Sequence, residues 1–437
     1  MEFAQFVYVP AIIRILTVFA GILIINRIGL QLGIALFIGG IAIDVWGGCP
    51  LAELFKDLRH ALTRPEMWLL MLVVALIMGL GQFMAAERNT KTIMAIARRM
   101  GGQHGRAISV MSLPAVIGLM PMPGGALFSA PLVARAVHEN TWPPEWKSAI
   151  NYWFRHIWEY WWPLYPVVIV TLSIFEIEAW QYFVTLSPFS ALAVLSGYLF
   201  LIRPHLSSLR EESSPTVTAD RNGWMLALPL LIVLLASLAL PPLLDQVVPE
   251  LRLAIRKLLA MVIGLTIGLG VIFCYNRTNQ EIGPFRELLG VKSLNTLSTL
   301  AGVMIFQSML DQSDLVPAAA GNLIRSGIPL VAVIAILPFI AGLVTGLAIG
   351  FAGISFPLII GLQGGIDSGL TTMSTLALAF GFGYAGMMLS PVHKCLVLTK
   401  DYFSVPYGQV YRHILPCITV LLLTSVGLCA MFSMLAW

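Results

Sequence analysis

The feature that most constrains this chain is a pattern that occurs twice. Gly124-Gly-Ala-Leu-Phe-Ser129-Ala-Pro131 and Gly350-Phe-Ala-Gly-Ile-Ser355-Phe-Pro357 both read G-x4-S-x-P. Seventeen residues before Pro131 stands Pro114 of Leu113-Pro-Ala-Val-Ile-Gly118-Leu, and nineteen before Pro357 stands Pro338 of Leu337-Pro-Phe-Ile-Ala-Gly342-Leu. Both of these read L-P-x3-G-L. Downstream, Pro163 follows Pro131 at 32 residues and Pro391 follows Pro357 at 34. Upstream, Gln82 and Gln307 precede Pro114 and Pro338 by 32 and 31 residues. Motifs that recur in one order about 225 residues apart point to a duplicated half.

The medium in which such halves fold follows from composition. The chain is 58% hydrophobic and 11% charged, against about 25% charged in soluble domains. Apolar runs long enough to span a bilayer recur along it. The expected fold is therefore an all-α polytopic membrane protein. Its formal charge of +4 reports topology before it reports nucleic acid, and no nucleic-acid partner is expected. Cys49, Cys274, Cys395, Cys417 and Cys429 show no metal or disulfide spacing. They read as buried small hydrophobes, with no metal and no cofactor expected. Arg14 interrupts the first apolar run, so no cleavable leader is expected there.

The spans fall into two similar series. In the first, residues 9–25, 29–45 and 67–84 read as crossings, with a polar loop holding Lys56, Asp57, Arg59 and Arg64 before the third. Basic and apolar residues interleave over 86–104, which suits a helix lying on the membrane surface. Residues 106–137 form two short apolar arms around Pro121-Met-Pro123-Gly-Gly125 and read as a re-entrant hairpin. Non-helical backbone at that depth must be received by protein or by a water-filled cavity. The crossing over 144–180 is broken by Pro163 and Pro166, and residues 184–202 cross again. In the second series, spans lie near 224–243, 253–275 and 294–311. A short segment at 314–326 and hairpin arms at 328–344 and 351–362 follow. A crossing over 371–400 is broken at Ser390-Pro391-Val-His393-Lys394, and the last span covers 412–434.

Residues 1–205 thus form a first repeat, 206–223 an inter-repeat loop, and 224–437 a second repeat with its hairpin at 328–362. Each half holds five crossings and one hairpin, so the second inserts inverted, as in many secondary transporters. Counted across these spans, one side collects 16 of the 26 Lys and Arg and the other 7. The richer side is cytoplasmic by the positive-inside rule, which puts both termini outside.

Two hairpin tips and two broken helices should meet near the midplane, exposing backbone N–H and C=O groups to a ligand. Pro123, Gly124, Gly125 and Gly350 permit close backbone approach there, and Ser129 and Ser355 can add hydroxyls; small-residue packing between helices is the alternative reading of these positions. Ionisable groups inside a membrane are costly and usually functional. Arg155 and Lys394 can hold an anion, Arg in a bidentate fork, while His156, Glu159 and His393 can serve a coupling ion or proton. Arg155 and Glu159 can also simply neutralise each other at i, i+4. His156 and Glu159 lack an evident third metal ligand. The run Trp153, Trp158, Tyr160, Trp161, Trp162, Tyr165 reads either as an interfacial anchor or as a wall for a substrate with an apolar part.

The segments Pro121-Met-Pro-Gly-Gly-Ala-Leu-Phe-Ser-Ala-Pro131 and Asn151-Tyr-Trp-Phe-Arg-His-Ile-Trp-Glu-Tyr-Trp-Trp-Pro163 resemble the domain-of-unknown-function family 401 of prokaryotic integral membrane proteins. That family is similar to the ion-transporter superfamily, which includes gluconate permeases and dicarboxylate carriers. The resemblance implies paired hairpins, paired broken helices, a homodimer and mostly anionic substrates. Dicarboxylate carriers place Ser-Asn-Thr motifs at their hairpin tips, whereas the tips here read Pro-Met-Pro-Gly-Gly and Gly-Leu-Ala-Ile-Gly.

These readings predict a secondary active transporter of the inner (cytoplasmic) membrane, not an enzyme. It would move a small, carboxylate-like organic anion by alternating access, coupled to H+ or Na+. The competing readings are an exporter or flippase of an amphipathic lipid-linked anion, and an intramembrane enzyme using His156 with Glu159 or His393.

Overall fold

The computed structural model describes residues 9–85, 106–119, 125–137, 142–209, 224–276 and 291–435. The surface helix expected over 86–104, Pro121 to Gly124 of the first hairpin tip, and most of the inter-repeat loop lie outside those residues.

Within them the chain is helical throughout. Helices α1 (Ala11–Arg27), α2 (Leu32–Gly47), α3 (Leu51–Thr63) and α4 (Pro65–Ala85) come first. The segment α3 was expected as a polar loop and is an amphipathic helix. Pro50 precedes it and Pro65 starts the next helix, so proline marks both of its ends. The arms α5 (Arg106–Gly118) and α6 (Ala126–Ala136) form the first hairpin, and α7 (Pro144–Arg155) and α8 (Pro166–Phe175) the first broken crossing. Helix α9 (Ala179–Gly197) closes this series.

The second series runs through α10 (Trp224–Val247), α11 (Leu253–Asn276), α12 (Val291–Gln312) and the short α13 (Leu315–Ser326). The second hairpin is α14 (Leu330–Thr345) and α15 (Ala348–Gly364); α16 (Thr372–Leu389) and α17 (Lys394–Tyr402) form the second broken crossing, and α18 (Tyr407–Met434) ends the chain. Among the described residues six helices are long and apolar enough to cross a membrane, or seven if the bent pair α13–α14 is one span. Several expected crossings and arms, such as α2 and α8, are shorter apolar helices.

Close backbone approach fixes how the helices cross. A Cβ on Gly342 of α14 would stand 2.2 Å from the Gly383 carbonyl oxygen of α16, and one on Gly386 would stand 2.1 Å from Phe339 O. The pair α2 and α12 repeats this with Gly33 against Ser298 O and Gly302 against Gly33 O. Without a hydrophobic drive between helices in lipid, such small-residue contacts are what dispersion and weak Cα–H···O bonds can use.

One end of the bundle is tied by charge. Glu66, 3% exposed, accepts from Arg252 Nη1 at 2.8 Å and lies 3.8 Å from Arg64 Nε. Arg252 is itself largely exposed. Removing Glu66 leaves an arginine that water can hydrate, at a cost of about 1 kcal/mol or less. Removing Arg252 leaves a buried carboxylate short of a partner, costing about 1–3 kcal/mol. Arg252→Ala is therefore expected to lower the melting temperature in detergent more than Glu66→Ala does; the reverse order would show that the carboxylate is well hydrated.

Candidate functional site

Each break is a stretch of backbone whose helical bonds are missing, and the structure shows what replaces them. In the first, the helix ends at Arg155 and turns run to Tyr165, with Pro166 as the first residue of α8. Tyr384 OH donates to His156 O at 2.7 Å, Tyr182 OH to Tyr160 O at 2.9 Å, and Ser190 Oγ to Ile157 O. In the second, Ser390 is extended before Pro391 and helix resumes at Lys394. Tyr152 OH donates to Met388 O at 3.0 Å, Tyr411 OH to Leu389 O at 2.9 Å and Tyr407 OH to Pro391 O at 2.9 Å. Hydroxyls from neighbouring helices thus satisfy carbonyls that a membrane interior would leave at a cost of several kcal/mol each. Tyr152 belongs to the first crossing and caps the second break; Tyr384 belongs to the second crossing and caps the first.

The hairpins pack onto these breaks through the duplicated glycines. A Cβ on Gly118 would stand 2.1 Å from Arg155 O. Tyr165 OH donates to Gly118 O, and Trp158 Nε1 to Ala115 O at 2.9 Å. At the first tip the Arg155 guanidinium lies on Gly125, where a Cβ would meet Nη1 and Nη2 at 2.5 Å. At the second tip Gly346, with φ +62°, ends α14, and its carbonyl takes a hydrogen bond from His393 Nδ1 at 2.8 Å. The tip is narrower than the expected Thr345–Gly350, because α15 has begun by Ala348. Each described tip glycine therefore meets a basic side chain of a break.

The two breaks touch through histidine. His156 Nε2 and His393 Nε2 are 3.1 Å apart. His156 Nδ1 is 2.5 Å from Tyr152 O, as His393 Nδ1 is bonded to Gly346 O. Glu159 Oε1 lies 3.9 Å from His156 Nε2, and its Oε2 accepts from Tyr384 OH at 3.3 Å. Cys395 joins this group: ligand atoms of His156, His393 and Cys395 all lie within 4.8 Å of one another. Arg155 is 3% exposed, His156 1% and His393 8%.

The sequence-predicted residues divide accordingly. Arg155, His156, Glu159, His393 and Gly125 come together. The helix stops at Arg155, so the pair does not meet at helical i, i+4 spacing, but Arg155 and Glu159 remain within electrostatic reach while Glu159 also contacts His156 and Tyr384. Ser129 Oγ bonds Gly125 O and Ala126 O, and Ser355 Oγ bonds Phe351 O at 2.5 Å, so both buried hydroxyls serve their own helices. Gly350 packs on Thr345 of its own hairpin. Lys394 is exposed; Cys395, beside it, takes the inward place. Pro123 and Gly124 lie outside the described residues. In the aromatic run Trp153, Tyr160, Trp162 and Tyr165 are buried and Trp158 and Trp161 half-buried, and Trp153 and Trp161 donate to Ala193 O and Ser190 Oγ. Cys395 had no local signal, since its partners are a histidine two residues away and another in the other half.

An all-helical bundle in which six or seven of the described helices are long and apolar enough to cross a membrane marks a multi-pass membrane protein. The chain belongs to the family described as protein of unknown function DUF401, whose model matches residues 11–431. A solved structure of similar fold is that of the YdaH transporter of Alcanivorax borkumensis, described as having an unusual topology. It is 15% identical and covers 89% of this chain and 89% of its own, with a TM-score of 0.62. No functionally curated protein matches the sequence.

Proposed function

We propose that this protein is a secondary active transporter that moves a small, carboxylate-like organic anion across the cytoplasmic membrane. The observation that carries the reading is the buried Arg155 guanidinium, laid on the first hairpin tip where the two breaks meet. A permanent charge at membrane depth is costly and marks a substrate path, and its planar fork matches a carboxylate. The fold shared with a transporter and the like order of elements in the two halves support alternating access by an inverted repeat. The coupling ion is H+ or Na+. The aromatic run that motivated a lipid-linked substrate is occupied in holding the first break, which disfavours the flippase.

The test is thermal stabilisation of the purified protein by organic acids, sugar acids, phosphates and lipid phosphates, with and without Na+ and at two pH values. A ligand that binds the folded state stabilises it by mass action, by about 2.7 kcal/mol at 100 times its Kd, and so raises the melting temperature. Stabilisation by small carboxylates, deepened by Na+ or by low pH, is expected. Stabilisation by lipid phosphates alone would sink the reading.

A further inference from the structure

We propose that His156, His393 and Cys395 form a Zn2+-binding site that joins the two breaks. A carbonyl oxygen only accepts, so Tyr152 O and Gly346 O require that each Nδ1 carry the ring hydrogen. Two neutral rings so held face each other through the bare lone pairs of their Nε2 atoms, 3.1 Å apart. A proton on one Nε2 would relieve that contact as an N–H···N bond; a metal ion would relieve it by using both nitrogens together with the Cys395 sulfur beside them. Metal-ligating histidines are held in this way, with the second ring nitrogen donating to a backbone carbonyl or carboxylate.

The donor set fits zinc. Zn–N bonds of about 2.0–2.1 Å at the tetrahedral angle put two ligating nitrogens ~3.3 Å apart, close to the observed separation. The Cys395 sulfur supplies the borderline-soft third ligand. Glu159 Oε1 lies 3.9 Å from His156 Nε2, outside the three-ligand group, and would complete the set by moving in as a fourth ligand. Zn2+ with one thiolate and one carboxylate is neutral, so a complete site adds no net charge to the membrane interior. Binding releases the Cys395 proton to solvent as the Zn–S bond forms.

The ligands come from opposite sides of the molecule's division: His156 follows α7, and His393 and Cys395 open α17. The metal would fix the geometry of both breaks and of the second tip, whose carbonyl His393 holds. It would also take both Nε2 lone pairs, so these histidines would not carry the coupling proton. Arg155 adjoins Cys395, so the two proposals share a neighbourhood; they are told apart because metal binding is measured without substrate or gradient.

The test uses the full chain in detergent, untagged and stripped with a chelator. Zn2+ is expected to bind at one per chain by elemental analysis. Co2+ in its place is expected to give the intense near-ultraviolet band of a thiolate-to-cobalt transition and the visible bands of a tetrahedral ion. His393→Ala should weaken Zn2+ binding by more than about 100-fold, since even supporting partners cost 10- to 100-fold. Cys395→Ser should abolish the thiolate band, and Cys417→Ser should leave it. A measurement on the wild type guards against misfolded variants: Zn2+ should protect Cys395 from a small maleimide, read by mass spectrometry. Absence of stoichiometric binding, a Co2+ complex without the thiolate band, or equal labelling of Cys395 with and without Zn2+ would overturn the proposal.

Discussion

Arg155→Ala is expected to weaken binding of any small organic anion that stabilises the wild type by about 30-fold or more. Truncating one partner of a buried, hydrogen-bonded charge pair costs about 2–5 kcal/mol, and 1.4 kcal/mol is tenfold in affinity. The guanidinium lies on Gly125, which has no side chain to displace it and fixes its height at the hairpin tip. Arg155→Lys should recover part of the loss and not all of it, because an ammonium supplies the charge without the planar fork. Melting of the variants without ligand separates a binding defect from a folding one. The decisive comparison is Kd by thermal shift or calorimetry. An Arg155→Ala protein that folds and binds the same anion with wild-type affinity removes the reason for placing an anion at this point.

How much of this was legible in the sequence varies with the range of the interaction. Proline and glycine act on their own backbone and their immediate neighbours, so the helix interruptions at Pro163/Pro166 and Ser390–His393 lie close to where the sequence puts them. The duplicated L-P-x3-G-L motif pointed to Gly118 and Gly342, and each packs against the backbone of a broken crossing. The segment 51–63 was misread because its four charged residues outweigh its apolar stripe when read without periodicity; it is an amphipathic helix. The site was legible only in parts. His156 and His393 were each visible as ionisable groups in a membrane, but their contact joins residues 237 apart. Nothing local in Cys395 sets it apart from Cys417, which is buried in α18. The tyrosines that cap the breaks were invisible for the same reason: a hydroxyl serving a carbonyl across the bundle leaves no spacing signal. The serines of the G-x4-S motif misled in the other direction, since their regular spacing reflects a bond to the carbonyl one turn back.

The largest loss of stability is expected from the smallest substitution, Gly118→Ala or Gly342→Ala. In each case the added methyl would stand 2.1–2.2 Å from a backbone carbonyl oxygen of a broken crossing, Arg155 O or Gly383 O. No rotamer change relieves a clash between a Cβ and a backbone atom, so the hairpin arm must move away bodily. At Gly118 that movement also strains the bonds from Tyr165 OH to Gly118 O and from Trp158 Nε1 to Ala115 O. Overpacking of a well-packed interior costs about 1–3 kcal/mol and sometimes more, and with these bonds added about 3 kcal/mol or more is expected. Gly427→Ala is the matched control. It sits within α18 with open space where its methyl would go, and replacing a mid-helix glycine by alanine stabilises by about 0.5–1 kcal/mol. The measurement is melting in detergent followed by fluorescence-detected gel filtration. The two hairpin variants should melt well below the wild type and Gly427→Ala at or above it. If all three melt alike, the hairpins do not rest on the breaks through these glycines, and the positioning of Arg155 by the first hairpin fails with them.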